Sequence, residues 1–312
     1  MRLGLTLGDP AGIGPELCAA ALARGGASEF VVYGDRQILE EAAARMRVAL
    51  PRDLSLEAVT ELAYTPGAPS VETGRAQVAY LEAAVTDAKL GKLSGMVTAP
   101  IHKASCLAAG FAFPGHTEFL AARLSAERVT MMFAGPRMRV SLATIHCALA
   151  AVPTTLTIDG LRATIVQTGQ ALIRSFGIPK PHLAVAGLNP HAGEGGHFGD
   201  EEARLVAPAI AAARAELPSV TLTGPHVPDV VFREHSTGRY DAVVALYHDQ
   251  GLIPVKVVDF DAAVNVTLGL PIVRTSPDHG VAHDIAGKGI ARTLSFLAAV
   301  DLARDLVSRV KR

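Results

Sequence analysis

The sequence predicts an α/β protein with a largely parallel sheet. Two observations lead there: short apolar runs of strand length alternate with longer, Ala-rich stretches of helical period, and turns bearing glycine or proline separate most of them. Size is a third. At roughly 150 residues per domain, 312 residues predict two domains or one large one, and 49% apolar residues with 19% charged describe a globular chain with a large interior.

The elements follow in order. Leu3–Leu7 is a strand running into the turn GDPAGIGPE, and Pro15–Arg24 is a helix with proline at its first position. Strand Phe30–Tyr33 and helix Arg36–Arg47 come next, then helix Glu72–Leu90, strand Leu93–Thr98 and helix Thr117–Leu124. Val129–Phe133 and Val140–Ile145 read as strands, Ile158–Phe176 as a helix, Leu183–Gly187 as a strand and Asp200–Glu216 as a helix. Strands Ala242–Tyr247 and Val264–Leu268 precede a last helix, Ile290–Val310. No stretch is long and polar enough to be an interdomain linker, so two lobes would share the chain back and forth.

Charge narrows the partners. Lys and Arg number 29 against 30 Asp and Glu, a formal balance of −1, which gives no electrostatic footprint for nucleic acid. No apolar run approaches the roughly 20 residues of a membrane helix. The amino terminus reaches Asp9 and two prolines too soon for a secretory signal, so a cytoplasmic protein is expected. Cys18, Cys106 and Cys147 are an odd number without CxxC spacing and read as reduced thiols.

In open α/β sheets ligands bind beyond the carboxyl ends of the strands, and five predicted strands end in polar clusters. These are Gly8-Asp9-Pro10, Ala99-Pro100-Ile101-His102-Lys103, His146, Asn189-Pro190-His191 and His248-Asp249-Gln250-Gly251. His146, His191 and His248 each follow a strand of buried character and are candidates for one open metal site, since neutral imidazole is the commonest Zn²⁺ ligand and a catalytic site keeps a position free. His279 and His283 form an i, i+4 pair but lack the Glu of HExxH, which leaves a local structural or substrate role for His279 and none for His283. His102, His182, His197, His226 and His235 are expected in loops or near the surface. The GDPAGIGPE turn is not a dinucleotide fingerprint, because Leu17 stands where the sixth position of GxGxxG needs a small residue, although Asp35 follows the second strand as the usual acidic residue does. No GxxxxGK[ST] occurs. Lys103, Lys256 and Arg274 near strand ends, with Gly115-His116-Thr117-Glu118 opening a helix, suit a phosphorylated small molecule.

Six ordered motifs, GDPAGIGPE, TAPIHK, GHTEFLA, LNPHAGEGGHFGDEE, YHDQGLIPVK and VNVTLGLPIVRTSPDHG, span nearly the whole chain and together resemble the 4-hydroxythreonine-4-phosphate dehydrogenase family of pyridoxal phosphate biosynthesis. The resemblance implies a two-domain α/β/α fold of the isocitrate and isopropylmalate dehydrogenase type with an interdomain cleft, residues 1–112 plus 274–312 forming one domain and 113–273 the other. It implies NAD or NADP, a divalent metal (Zn, Mg or Co), and a homodimer whose active site lies at the subunit interface. The family's metal-binding histidines fall on His146, His191 and His248. Its substrate-binding residues fall on His116, Thr117, Lys256, Asn265 and Arg274, and Asp229 and Asp249 match acidic positions near the metal.

The implied reaction oxidises 4-phosphohydroxy-L-threonine to a β-keto acid that decarboxylates to 3-amino-2-oxopropyl phosphate. Its general base is not identified. This chain departs from the family at Cys147-Ala148-Leu149-Ala150 and at Ala262-Ala263. Relatives of the same architecture act on other phosphorylated hydroxy acids, such as 4-phospho-threonate or 4-phospho-erythronate, or on aromatic dihydrodiols, and phosphate acyltransferases share the fold type. The retained GHTE, Lys256 and Arg274 favour a phosphorylated substrate.

Overall fold

A computed structural model describes residues 2–310. The chain forms two compact units, and the first is discontinuous: it comprises the residues up to Val129 together with Leu270–Val307, while the second takes Thr130–Gly269 and the residues from Ser308 on.

The first unit begins with β1 (Leu3–Thr6), α1 (Gly14–Ala23), β2 (Phe30–Gly34), α2 (Arg36–Met46), β3 (Leu56–Ala58), α3 (Val71–Lys89), β4 (Gly95–Thr98), α4 (Lys103–Ala108) and α5 (His116–Arg123). In the second unit come β5 (Thr130–Ala134), β6 (Arg139–Leu142), α6 (Val152–Thr155), α7 (Ile158–Arg174) and β7 (His182–Ala186). A π-helical turn, Glu202–Val206, then leads into α8 (Ala207–Glu216), followed by β8 (Thr221–His226), α9 (Pro228–Ser236), β9 (Ala242–Ala245), α10 (His248–Asp259) and β10 (Val264–Leu268). The chain returns to the first unit with β11 (Val273–Pro277), and α11 (Leu294–Val310) closes it.

The first unit's sheet runs β3-β2-β1-β4-β11 with every neighbouring pair parallel. β1, β2 and β4 are buried along their whole length, the expected state of parallel strands covered on both faces, and for that reason they read as continuous apolar runs in the sequence. The second unit orders its strands β10-β5-β6-β9-β7-β8, parallel from β6 to β8, with β5 antiparallel to both its neighbours. Its core gathers Phe133, Val140, Leu142, Val243, Leu252 and Val255.

Three strands and four helices lie outside the sequence expectation: β3, β8, β11, α4, α6, α9 and α10. The segment 200–216, expected as one helix, starts instead as a π-turn, and Pro208 opens the α-helical part where its missing N–H is least costly. α11 begins at Leu294, not Ile290. No described helix is long and apolar enough to cross a membrane.

Candidate active site

Three strand ends of the second unit carry the three predicted metal histidines. β6, β9 and β7 are adjacent and parallel, so their carboxyl ends share one edge, where His146, His248 and His191 follow them. Side-chain bonds tie the ends together. Thr144 Oγ1 donates to the Leu246 carbonyl at 2.8 Å, while Gln250 accepts from the Leu246 N–H and donates to the Gly187 carbonyl, both at 2.7 Å. His146 and His248 bring their ring centres to 6.1 Å, and His248 Nδ1 lies 2.7 Å from Asp249 Oδ1. A carboxylate on one ring nitrogen orients the other for a ligand.

His191 sits in a run of left-handed backbone from His191 to Gly195 (φ of 53° at His191), with its ring 5.8 Å from that of Phe198. Glu202 braces this loop. It accepts from the backbone N–H groups of Leu188 and Asn189 at 2.7 and 2.8 Å and from Asn189 Nδ2 at 2.9 Å. Burial alone would raise its pKa, yet these donors hold the carboxyl below its usual range. The ligand atoms of the three histidines do not all come within 4.8 Å of one another within the chain. Asp229 and Asp249 line a cavity of about 490 Å³ with Phe232, Tyr247 and Gln250. Lys256 is half-buried on α10, and Asn265 on β10 turns a buried Oδ1 toward no hydrogen-bond partner among the described residues.

The first unit holds the other substrate candidates. Arg274 on β11 is buried, and its Nη2 donates to Thr98 Oγ1 at the end of β4, at 2.8 Å. Burial pulls the guanidinium pKa down to about 10, partly offset by Glu118, so it stays cationic at neutral pH. His116 opens α5 with Nε2 shut off from water and without a partner among the described residues. Burial, then the positive charges of Arg274 and Lys103, hold its imidazole well below the ordinary range and therefore neutral. Thr117 is buried beside it, and Lys103 reaches toward Gly115. A buried cation, an ammonium, a hydroxyl and an unengaged imidazole nitrogen form an anion-recognition set.

A second polar group in the first unit was not foreseen. Asp9, His102 and His283 are the one set of three metal-competent side chains among the described residues whose ligand atoms all lie within 4.8 Å of one another. His283, expected to have no role, places Nε2 2.7 Å from Asp9 Oδ2. Gly8 makes the turn possible: its φ of 68° and its contact with β4's exit, where a Cβ would fall 2.3 Å from the Pro100 carbonyl oxygen, let Asp9 N–H bond that same carbonyl at 2.9 Å. Other histidines depart from expectation too. His182 lies on β7 and His226 on β8, and His235 is buried in α9, where the Arg139 N–H donates to Nε2 at 2.8 Å and Nδ1 bonds the Tyr240 carbonyl at 2.9 Å.

Comparisons with known proteins agree with one another. The family described as "Pyridoxal phosphate biosynthetic protein PdxA" matches residues 26–303. A 4-hydroxythreonine-4-phosphate dehydrogenase of Desulfosudis oleivorans is 48% identical over 97% of this chain and 95% of its own length, and one of Thermosynechococcus vestitus is 46% identical over 98% and 97%. The crystal structure of the Klebsiella pneumoniae 4-hydroxythreonine-4-phosphate dehydrogenase superposes with a TM-score of 0.89 at 38% identity, covering 99% of this chain and 98% of that one. By sequence and by fold alike, the chain belongs to the PdxA family of oxidoreductases.

Proposed function

We propose that this chain is a 4-hydroxythreonine-4-phosphate dehydrogenase of pyridoxal 5′-phosphate biosynthesis, working in the cytoplasm. The reaction moves hydride from the secondary alcohol carbon of 4-phosphohydroxy-L-threonine to NAD or NADP while the hydroxyl proton passes to a base, giving a β-keto acid, which loses CO₂ and takes up a proton at carbon to leave 3-amino-2-oxopropyl phosphate. The observation that carries this reading is the anion set of the first unit, with Arg274 cationic though buried and His116 neutral beside it. Among residues matched to the family, Arg274, His116, Thr117, Lys256 and Asn265 bind the substrate. Their charge-assisted and hydroxyl contacts fix the phosphate and carboxylate, which positions the alcohol for hydride loss.

His146, His191 and His248 fit a divalent ion chemically: they are strand-end imidazoles, two of them facing each other and one oriented by a carboxylate. An ion bound there, Zn, Mg or Co, would act as a Lewis acid toward the substrate hydroxyl. Division into domains at residues 112 and 274 belongs to the same proposal.

A homodimer with a shared active site is part of this reading. α10 and the Phe260 that caps it expose Ile253, Val257 and Phe260 at 62%, 79% and 65%, positions spaced four and three apart on one face, and the same helix begins with His248. A second copy covering that stripe would bring chain contact next to the histidine edge.

The test is the absorbance of reduced nicotinamide on adding phosphohydroxythreonine with each divalent metal. Turnover is expected. If 4-phospho-threonate or 4-phospho-erythronate is turned over in its place, the substrate is wrong, and acyl transfer from an acyl phosphate without nicotinamide reduction would replace the reading altogether.

A further inference from the structure

The group Asp9, His102 and His283 is used by none of the chemistry above. Asp9 lies in the turn after β1 and His102 in the connection after β4, so both stand at the carboxyl ends of neighbouring parallel strands, and His283 joins them from the loop after β11. In this sheet β2 and β3 are laid down on one side of β1 and β4 and β11 on the other. The β1–β4 boundary is therefore the point where strand order reverses, the place where parallel sheets open a ligand crevice.

The donors outnumber the protons. Asp9 is fully buried, and its partners are the Ala11 N–H on Oδ1 at 3.0 Å and His283 Nε2 on Oδ2 at 2.7 Å. The Ser105 hydroxyl donates to the His102 carbonyl at 3.1 Å and accepts from Gln77 Nε2 at 3.2 Å, so the proton between Ser105 Oγ and His102 Nδ1, 3.1 Å apart, belongs to the ring. That tautomer leaves Nε2 of His102 with a bare lone pair. The rings of His102 and His283 meet edge to face at 4.8 Å. A buried carboxylate, an imidazole lone pair and a second imidazole thus converge, and a cation is what such a set lacks.

We propose that Asp9, His102 and His283 form a binding site for a divalent transition metal of the Zn²⁺ or Co²⁺ class. Two imidazoles and one carboxylate are a donor set for such ions, with coordination positions left over for an exogenous ligand. The outer contacts are already built: Gln77 accepts the backbone N–H of His102 at 2.7 Å and the Cys106 thiol at 3.3 Å and donates to Ser105, whose hydroxyl oxygen meets the ring, so the ring's orientation is fixed before metal arrives. Metal entry displaces the proton that His283 Nε2 shares with Asp9, to Nδ1 of the same ring or to solvent, and since ligand atoms on one tetrahedral Zn²⁺ lie roughly 3.3 Å apart the pair opens by less than about 1 Å.

The test uses the full chain carrying His146→Ala and His191→Ala, which removes the separately proposed histidine site, so the two readings fail independently. After chelator treatment this protein is titrated with Co²⁺ alone, followed by calorimetry and by the visible d–d absorption of the ion. One Co²⁺ per chain is expected. Adding His283→Gln or His102→Gln should abolish stoichiometric binding, and Ser105→Ala, which frees the His102 ring, should weaken it about tenfold. His283 is 21% exposed, so its replacement is the variant least able to disturb folding, and circular dichroism checks that. Absence of Co²⁺ binding in the parent, or equal binding in the His283→Gln variant, overturns the proposal.

Discussion

Burial decides the charge that Arg274 and His116 offer a ligand. Arg274 keeps its positive charge because even a guanidinium pulled down to about 10 is protonated at neutral pH, whereas His116, buried near two cations, gives its proton up. Replacing Arg274 by Ala should raise KM for the phosphorylated substrate by about 10- to 100-fold, the worth of a charge-assisted hydrogen bond, while KM for the nicotinamide changes little; equal losses would remove Arg274 from the substrate contacts. Lys256→Ala should act in the same direction. Burial also ties stability to pH. His116, His226 and His235 are all held below 6.5, chiefly by desolvation, so as pH falls through about 6.5 the unfolded chain takes up protons that the folded one refuses. Stability must then fall with falling pH below that point. At His235 the cost has a visible cause, because protonating Nε2 destroys its bond with the Arg139 N–H. The urea midpoint measured between about pH 7 and pH 5 should decline, and His226→Gln should flatten the decline; a midpoint that rises toward pH 5 contradicts the assignment.

Single segments show which local signals carry a fold and which mislead. The strands β1, β2, β4 and β9 were legible because burial on both faces leaves only apolar residues to read. β11 was not, since it buries the polar Arg274, Thr275 and Ser276, Arg274 Nη2 donating to Thr98 Oγ1 and Thr275 Oγ1 to the Ala299 carbonyl, each at 2.8 Å, and hydropathy cannot see such partners. α10 is absent from the expected helices, its first residues standing in the sequence as the polar cluster His248-Asp249-Gln250-Gly251 and its interior holding Gly251 and Pro254. The glycine is there for packing: a Cβ would come within 2.5 Å of Leu142 Cδ2 on β6. His146, His191 and His248 stand out in the sequence as candidates because each follows a buried strand, whereas the contact of His283 with Asp9 leaves no sequence signal, its partners being 274 residues apart. The loop bearing His191 rests on Glu202. Glu202→Ala should cost about 1–3 kcal/mol, the penalty of orphaned buried donors, and should speed hydrogen exchange at the Leu188 and Asn189 amides before it changes exchange in β7. Unchanged exchange at these amides would mean the loop is held by other contacts.

The whole molecule, in the proposed function, works as two copies. Val257→Glu on the exposed face of α10 should shift the protein to monomer in sedimentation and remove turnover together, since a charge buried in an apolar interface is left unpaired. Mixing a His146→Ala subunit with a His248→Ala subunit should restore some activity in a shared site, and none if one chain supplies both ligands. The route of the chain has a further effect, on synthesis. The first unit starts at the amino terminus but its sheet gains β11, with Arg274, only from Leu270–Val307, after every strand of the second unit has been made. A growing polypeptide therefore carries β4 with an open edge, and Thr98 without its arginine, while β5–β10 emerge. In the proposed function, that unit's capacity to bind an anion arrives only after all six strands of the second unit have been made, so a nascent protein carries those strands before it can recognise the phosphate of its substrate.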